Sequence, residues 1–452
     1  MDCIGVFAEH VVNVGFSDLP SDVIEKTKNL IMDSIGVGIA GINAQGCTEA
    51  LELVQGWGGR QEASVLLQGF KCPAPWAAFV NSIFIHALDF DDVLDDSAHH
   101  ASVSVLPAAL AAAEMSGHTS GRDLIAAVAL GHDISNRLAL SLTKPLAWTR
   151  AATCGFFGAT AAVGKILGLD KKKLWNAFGI AYCQTAGNIQ GLVDGALSKR
   201  MQPAFAAKSA ILSCLLAEKG LTGPQNVLDG DYGFFKLYEN NDYDKSVLCK
   251  DLGNEFTGIR LSIKPYPSCR MTHSSIDLAL VLRETYKIDA KNVEEITIYC
   301  SKMVSDIVGT RFELRENYQA DAQFSIPYTV ITALINGDVF LHHFDSDFIK
   351  ENTSLDLTDR VRIICDSRIN PKNLMKCTME IKTGDGHTYS AATEVAKGNP
   401  LNPMSTDECM EKFTKCVSYN GGLDADKISS ILNSLQNFEK IADIRELADI
   451  LI

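Results

Sequence analysis

The sequence lacks the motifs that mark several common classes of enzyme. Its 13 cysteines are scattered, and no two of them are spaced as Cys-x-x-Cys. An iron–sulfur dehydratase is therefore disfavoured, since such clusters bind three or four thiolates that are often closely spaced. The chain also has no Walker loop and no dinucleotide-binding fingerprint after a strand. We therefore expect no metal or other cofactor.

Positive charge and long apolar runs are also scarce. With 41 Lys and Arg against 55 Asp and Glu, the formal net charge is −14. This charge argues against a nucleic acid partner, because a phosphate backbone requires a basic surface. No apolar run reaches the roughly 18–20 residues that span a bilayer, so we expect no membrane segment. No basic region followed by an apolar one is visible at the start, and the thiols are unclustered, which together predict a cytoplasmic protein.

The 452 residues are long enough for two domains. Up to about residue 257 the chain reads as consecutive helices, one of them opening after Pro20 and another with a capping box at Ser120 and Asp123. Gly155, Gly158 and Gly164 lie among alanines in the same region. Because their spacing fits no phosphate-binding loop, we expect these glycines to let helices pack closely.

From residue 258 the pattern changes to alternating or β-branched segments, which predict strands at IRLSIKPYP, EEITIYCS, RVRIICDS, TMEIKTG and HTYSAATE. The last two segments flank Gly384-Asp385-Gly386 as a hairpin. Helical patterns occur at Thr272–Tyr286 and Gln319–Ile335, and again from Thr406 onward. We predict an α+β protein in which residues 1–257 and 396–452 form a large all-helical domain and residues 258–395 form a smaller, inserted α+β domain.

One stretch combines an apolar helix with groups that transfer protons. The helix at 76–88 is followed by five carboxylates within eight residues and then by His99 and His100. Charged groups next to a buried helix are costly unless they are paired or used, which favours a cleft. A solvated acidic turn on the surface is the alternative. Further along, Lys199 and Arg200 precede a helix that starts at Pro203, where they either bind an anion or form a solvated turn.

The ordered motifs resemble those of the MmgE/PrpD family, which includes 2-methylcitrate dehydratases, cis-aconitate decarboxylases and iminodisuccinate epimerases. The resemblance covers the whole chain. It rests on H-A-L-D-F-D-D at 86–92, His100-x-Ser102, K-R-M-Q-P at 199–203, G-L-T-G-P at 220–224, G-D-Y-G-F at 230–234, and K-P-Y-P at 264–267 with His273. Each motif is weak alone, whereas the ordered set is specific.

The resemblance implies a cofactor-free homodimer with a large helical domain, an inserted α+β lid and an active site between them. It implies catalytic roles for Asp89, His100, Lys199 and Lys264, which match the family's motifs residue by residue. His100 would transfer a proton with Asp89 orienting it, and the two lysines would neutralise the carboxylates of the substrate or donate a proton. His99, Arg200, Tyr266 and Cys269 are expected to bind the substrate.

The implied reaction is proton abstraction next to a carboxylate of a small di- or tricarboxylate, leading to dehydration, decarboxylation or epimerisation. The chain departs from the family where a histidine is often found. It has Thr149 ahead of the Gly/Ala helix, Gln202 in the lysine motif, and Cys269 after K-P-Y-P. These departures leave the particular reaction and substrate open.

Two other functions remain open from the sequence alone. Asp91–Asp95 reads DDxxD, the Mg²⁺-diphosphate motif of isoprenoid synthases, although a second metal motif is poorly formed. A catalytically silent scaffold or binding protein of the same fold is also possible, since histidine is absent from 149, 202 and 269. Elsewhere, we expect His132 to be structural, paired with Asp133 on a helix face, and His342–His343 to lie on a loop of the lid.

Overall fold

The order of secondary structure follows the change in pattern along the chain. The computed structural model describes residues 2–144, 147–315, 317–351, 355–421 and 423–452. The helices before the change are α1 Cys3–Asn13, α2 Ser21–Gly41, α3 Cys47–Trp57, α4 Ala74–His86, α5 Ser102–Ser116, α6 Gly121–Ser141, α7 Arg150–Ile166, α8 Lys171–Tyr182, α9 Gln190–Val193, α10 Gln202–Glu218, α11 Phe234–Glu239 and α12 Lys245–Leu248. Those after it are α13 His273–Tyr286, α14 Lys302–Val308, α15 Tyr318–Gln323, α16 Ile326–Asn336, α17 Ser346–Glu351, α18 Thr406–Tyr419, α19 Ala425–Gln436 and α20 Ile444–Leu451.

The chain divides into two units, which we call the helical unit and the mixed unit. The helical unit comprises Met1–Ala87, Asp91–Leu261 and Ser405–Ile452, and the mixed unit comprises Leu88–Phe90 and Ser262–Met404. A large helical part with a smaller α+β part inserted into it was predicted, and this fold class is confirmed. Strands within the helical unit are limited to β1 Ala63–Ser64 and β2 Lys71–Cys72 in the described residues. The described residues contain no helix that is both long and apolar enough to cross a membrane.

The limits of the units, at 261/262 and 404/405, lie four and nine residues after the predicted boundaries at 257/258 and 395/396. Thr257–Arg260 is a 3₁₀ turn that belongs to the helical unit, because the Asn136 amide of α6 donates to the Thr257 carbonyl at 3.1 Å. The segment after 395 stays with the mixed unit, because the Ile263 amide donates to the Gly398 carbonyl at 3.1 Å. Tertiary hydrogen bonds therefore set both limits.

Small residues let the central helices of the helical unit approach one another. A Cβ added to Gly158 of α7 would lie 2.5 Å from the carbonyl oxygen of Gly131 on α6, and one added to Gly155 would lie 2.8 Å from the Ser104 hydroxyl on α5. At both positions a Cβ would be too close to the neighbouring helix, which agrees with helix packing as the role of these two glycines. The predicted capping box is also present, since Ser120 accepts from the Asp123 amide and Asp123 accepts from the Ser120 amide at 3.2 Å.

The mixed unit is built on a four-stranded sheet with the order β4-β3-β5-β6. The strands are β3 Val293–Cys300, β4 Val361–Cys365, β5 Cys377–Thr383 and β6 Thr388–Thr393. Strand β3 is parallel to β4 and antiparallel to β5, with Ile298 opposite Met379. The turn at 384–386 joins β5 and β6 as an antiparallel hairpin, as predicted. Ile296, Ile298, Met379 and Ile381 are fully buried in the core of this unit.

Three local predictions in this region are wrong. The segment 259–267 is not a strand, because it begins in a 3₁₀ turn and then contains Pro265 and Pro267, which have no amide hydrogen for a ladder. The helix predicted over Gln319–Ile335 is two helices, because Ser325 caps α16 and Pro327 occupies its first turn. His342 and His343 lie in a 3₁₀ turn rather than an open loop, and His343 is buried with its Nδ1 accepting from the Phe340 amide at 3.0 Å.

Candidate active site

Residues 91–100 of the acidic and histidine segment fold back on themselves inside the helical unit, whereas Leu88–Phe90 belong to the mixed unit. His86 is the last residue of α4, and Ser102 is the first residue of α5. Between them, Leu94 and His99 form an isolated antiparallel bridge, in which the Leu94 amide donates to the His99 carbonyl at 2.7 Å. This bridge closes a tight loop and places His100 immediately before α5. The segment is thus a packed, hydrogen-bonded turn rather than a solvated loop. That this turn lines a cleft stays a prediction.

Two histidines meet one carboxylate in this turn. His86 Nδ1 lies 2.8 Å and His100 Nδ1 lies 3.0 Å from the same oxygen, Oδ2 of Asp91. The side chains of His86 and Asp91 are almost completely buried, whereas that of His100 is 18% exposed. We call these three residues the His–Asp–His cluster. His100 is its one member that keeps a substantial exposed fraction.

The charges of the cluster follow from its burial. Burial opposes ionisation of Asp91, but the two adjacent imidazoles outweigh it and hold the pKa of the carboxyl well below its usual value. Burial lowers the pKa of His86 to about 4 despite the attraction of Asp91, with the Lys199 charge acting in the same direction as burial. At neutral pH, His86 is therefore neutral and Asp91 is ionised. An ionised carboxylate only accepts hydrogen bonds, so His86, which is hydrogen-bonded to Asp91, carries its proton on Nδ1.

This arrangement suits His100 for proton transfer. Nδ1 of His100 lies 3.0 Å from Asp91, which leaves Nε2 as the ring nitrogen that can act as a base. The carboxylate would also stabilise the imidazolium that forms when Nε2 takes up a proton. The family resemblance implies that Asp89 orients His100, whereas the carboxylate next to His100 in the structure is that of Asp91. His86 and Asp91 were missed as site residues, although both lie in the H-A-L-D-F-D-D motif.

Asp92 is a second fully buried carboxylate beside the cluster. It accepts from the Ser102 amide at 3.3 Å, and burial followed by the negative charge of Asp91 raises the pKa of Asp92 to about 6. Ser102 in turn contacts His132, with 3.0 Å between its Oγ and Nε2. Neither Asp91 nor Asp92 has any exposed surface. A diphosphate-bound Mg²⁺ therefore has no access to the first two carboxylates of DDxxD, which argues against the isoprenoid synthase alternative.

His99 and His132 are both enclosed in the helical unit. His99 has no exposed surface and lies next to Gly155, and burial, followed by the nearby His100, lowers its pKa well below the usual value. The prediction that His99 binds substrate is therefore not supported, because its ring is sealed inside the protein. Burial likewise lowers the pKa of His132 to about 3. The partner of His132 is Ser102 rather than Asp133, which binds Arg137 at 3.0 Å, and the structural role of His132 stays a prediction.

Lys199 lies in a 3₁₀ turn, Leu197–Met201, directly before α10. Its side chain is only partly buried, and its charge contributes to the lowered pKa of His86. The lysine is thus close enough to act electrostatically on the His–Asp–His cluster. Arg200, predicted to bind substrate, donates from its guanidinium to the Gln45 carbonyl. Since a guanidinium has five N–H donors, this contact orients Arg200 without using all of its capacity.

The mixed unit contains the second predicted pair, Lys264 and Asp89. Lys264 is 1% exposed, and its Nζ lies 2.7 Å from the Asp89 carbonyl oxygen and 3.2 Å from Asp89 Oδ2. Asp89 has a left-handed backbone with φ 54°, a conformation that favours Asp and Asn among non-glycine residues. Gln323, which the sequence analysis missed, donates to the carbonyls of Leu88 and Pro267 at 2.9 Å. It ties the Asp89 segment to the turn that follows Lys264.

The other candidates in the mixed unit are held by polar contacts or buried. The Tyr266 hydroxyl donates to Asp277 at 2.8 Å, and burial followed by that carboxylate raises the pKa of Tyr266 well above its usual value. Cys269 is 7% exposed, and its amide donates to the Gln323 carbonyl at 2.9 Å. Tyr266 is therefore a neutral hydrogen-bonding group. The substrate-binding roles predicted for Tyr266 and Cys269 stay predictions.

Two of the three positions where the family often has a histidine, Thr149 and Gln202, are hydrogen-bonded to each other. Gln202 Oε1 accepts from the Thr149 hydroxyl at 2.9 Å and from the Asn188 amide at 2.7 Å, while its Nε2 donates to the Asn188 carbonyl at 2.9 Å. Gln202 also lines a pocket of about 290 Å³ in the helical unit. The amide therefore holds the pocket wall in place, and neither Gln202 nor Thr149 has a side chain that ionises near neutral pH.

The cluster also has the donor set of a metal site. Three possible ligand atoms of His86, Asp91 and His100 lie within 4.8 Å of one another, and two imidazoles with a carboxylate suit Zn²⁺. Ligand atoms around tetrahedral Zn²⁺ are separated by roughly 3.3–3.6 Å, so only a small contraction would be needed. Without a metal, the cluster is held by the hydrogen bond from His86 to Asp91 and by the 3.0 Å contact of His100 with the same carboxylate. The expected independence from metals stays a prediction.

Comparisons with known proteins agree with the resemblance of the motifs. The MmgE/PrpD N-terminal domain matches residues 5–246, and the MmgE/PrpD C-terminal domain matches residues 266–437. A cis-aconitate decarboxylase-like protein, oryM, of Aspergillus oryzae is 27% identical and covers 95% of this chain and 93% of its own length. The cis-aconitate decarboxylases of Aspergillus terreus and Homo sapiens are 26% and 27% identical, covering 97% and 98% of this chain and 94% and 93% of their own lengths.

Proposed function

The chain belongs to the MmgE/PrpD family, and from this premise we propose that it is a cofactor-independent enzyme acting on a small di- or tricarboxylate. The reaction begins with removal of a proton from a carbon next to a carboxylate. The family and its cis-aconitate decarboxylase relatives support a lyase that acts on carboxylates. The epimerase outcome remains a variant of the same first step, because a carbanion that keeps all its groups is simply reprotonated.

The observation that carries this proposal is the contact between His100 and the buried, ionised Asp91. A general base must have a lone pair within reach of the substrate and a partner that stabilises its protonated form. Partly exposed His100 meets the first condition through Nε2, and Asp91, 3.0 Å from Nδ1, meets the second. General acid–base groups of this kind typically contribute about 10²–10⁴-fold to the rate.

The two lysines are assigned to the charge of the substrate. A carbanion next to a carboxylate develops negative charge on the carboxylate oxygens, which a nearby ammonium group stabilises. Lys199 has this role in the helical unit, where its charge acts on the cluster that contains His100. Lys264, which is paired with Asp89, is assigned to binding a carboxylate or to returning a proton to carbon. For decarboxylation, the C–C bond to the departing CO₂ breaks and its electron pair stays on the substrate carbon. That carbon then takes up one proton.

The proposal is tested by following carbon-bound protons. Citrate, 2-methylcitrate, cis-aconitate and iminodisuccinate are incubated with the protein in D₂O and monitored by proton NMR. We expect product formation or deuterium incorporation with at least one of them, and cis-aconitate is the first to test because of the relatives. Deuterium incorporation without net conversion would favour the isomerase or epimerase branch.

Variants connect the activity to the assigned residues. His100→Ala and Lys199→Ala should each lower the rate by at least ~10²-fold while the protein stays folded, because neither side chain is a core residue. The matched control is His387→Ala, since His387 is a histidine with a 67% exposed side chain that also contacts an aspartate, Asp385. Normal turnover by His100→Ala would refute the assignment of the base.

A second candidate is a catalytically silent scaffold of the same fold. It is favoured by one observation, the replacement of titratable groups by the Thr149–Gln202 hydrogen bond. No exchange and no conversion of any of the four acids by the folded protein would support it. We further propose a homodimer in the cytoplasm, with no nucleic acid partner because of the net charge of −14. Size-exclusion chromatography with light scattering tests the dimer.

A further inference from the structure

The pocket in the helical unit is lined without any ionisable side chain. Its volume is about 290 Å³, and it is formed by residues of α7, α10 and the segment between α8 and α10. The lining residues are Ala152, Phe156, Gln184, Ala186, Gly187, Asn188, Gly191, Ser198, Gln202, Phe205, Ala206 and Ser209. All of them are apolar, glycine, hydroxyl or amide residues. We call this site the neutral pocket.

The polar part of the wall is held in place. The three hydrogen bonds of the Gln202 side chain, to Thr149 and to both backbone groups of Asn188, fix the orientation of its amide. Gly187 has φ +123°, and a Cβ there would lie 2.9 Å from Gln202 Oε1 and 2.8 Å from Ala152 Cβ. The backbone therefore approaches Gln202 as closely as a glycine allows. The amide of Gln202 therefore stays part of the wall and leaves no room there for a charged side chain from outside the lining.

The neutral pocket borders the turn that carries Lys199. Ser198 precedes Lys199 in the chain and lines the pocket, and Gln202 begins α10 three residues later. A Cβ added to Gly191, another lining residue, would lie 3.5 Å from the Lys199 backbone nitrogen. One small molecule can therefore place a carboxylate at Lys199 and another of its groups in the neutral pocket.

The absence of charge from the lining determines which group fits. Moving a carboxylate from water into a site without a cationic partner costs several kcal/mol, whereas an alkyl, hydroxyl or amide group meets surfaces of its own kind. We propose that the neutral pocket binds an uncharged part of the substrate. The substrate class is then a carboxylic acid whose charged end is at Lys199 and whose other end is a short alkyl, hydroxyl or carboxamide group. This inference rests on the proposed function, because it assumes a carboxylate substrate.

The test compares ligands that differ in one group. cis-Aconitate is compared with two analogues in which one terminal carboxylate is replaced by a carboxamide or by a methyl group, and binding is measured by titration calorimetry. Deuterium exchange is measured on the same compounds. We expect at least one of the two analogues to bind at least ~10-fold tighter than cis-aconitate. Tighter binding of cis-aconitate than of both analogues would overturn the inference.

A charge introduced into the pocket gives the reverse test. Ser209→Lys adds a cation to the lining and should shift the preference toward cis-aconitate by at least ~10-fold. Leu212→Lys is the matched control, because Leu212 is on the same helix, is 42% exposed and does not line the pocket. If Ser209→Lys does not fold, as judged by circular dichroism, Gln202→Lys replaces it. An unchanged preference in a folded pocket variant would also overturn the inference.

The two proposals fail in different ways. If the wild-type protein neither exchanges, converts nor binds citrate, 2-methylcitrate, cis-aconitate, iminodisuccinate or the two analogues, the carboxylate enzyme itself is refuted and this inference falls with it. If cis-aconitate is processed and both analogues are not, the proposed function stands and only the assignment of the pocket is wrong.

Discussion

Asp92→Asn gives a direct measure of the electrostatic strain at the candidate active site. Burial and the adjacent charge of Asp91 raise the pKa of Asp92 from 3.8 to about 6. Because this folded-state pKa is above the unfolded one, the contribution of Asp92 to stability is present below about pH 4 and is lost as the pH rises through 6. The shift corresponds to about 3 kcal/mol at pH 7, by linkage. Asparagine keeps an oxygen for the Ser102 amide and removes the charge.

The expected signal is therefore a change with pH rather than a fixed offset. The stability gained through Asp92→Asn should be about 2 kcal/mol larger at pH 7 than at pH 4, whatever constant cost the extra amide hydrogens add. Urea denaturation followed by tryptophan fluorescence is suitable, because all four tryptophans, Trp57, Trp76, Trp148 and Trp175, belong to the helical unit. Asp231→Asn, at a carboxylate with a 95% exposed side chain, is the control. A difference that stays constant from pH 4 to pH 7 would refute the reasoning.

Three further predictions follow from the contacts. Lys264→Ala should weaken substrate binding and also destabilise the mixed unit by about 1–3 kcal/mol, since it removes the buried ion pair with Asp89, and adding Asp89→Asn should recover part of the loss in scanning calorimetry. His132→Ala should cost about 1–3 kcal/mol through its Ser102 contact and leave the rate within a few-fold, and a rate loss without destabilisation would contradict its structural role. Dialysis against EDTA should leave the activity unchanged; a loss restored by Zn²⁺ would make the His–Asp–His cluster a metal site.

The fold was largely predictable because its determinants are local. Hydrophobic periodicity located the helices, the Ser120–Asp123 box located the start of α6, and the glycines at 384 and 386 located the β5–β6 turn. Each of these signals acts within a few residues of the chain. The strand predicted at 259–267 failed because β-branched residues indicate a strand only if a neighbour offers a ladder, and the two prolines there cannot join one.

The sequence predicted which segments contribute to the candidate site, but not the contacts that their side chains make. Motif order identified the segments at 86–100, 199–203 and 264–267 as the ones that carry the charged groups. The sequence did not distinguish Asp91 from Asp89 as the partner of His100. Both are aspartates within the same motif, and the choice depends on which side chain the folded turn directs toward the imidazole.

The sequence alone determined which groups are available: a helical chain with an α+β insertion, an acidic and histidine turn, and lysines at two further turns. Only the tertiary structure decided their states. Adjacent His99 and His100 are equivalent in the sequence. In the structure His99, which forms the bridge with Leu94, is buried, while His100 lies beside Asp91 with part of its surface exposed. Burial and the distance to a countercharge set protonation, and both depend on residues far apart in the chain.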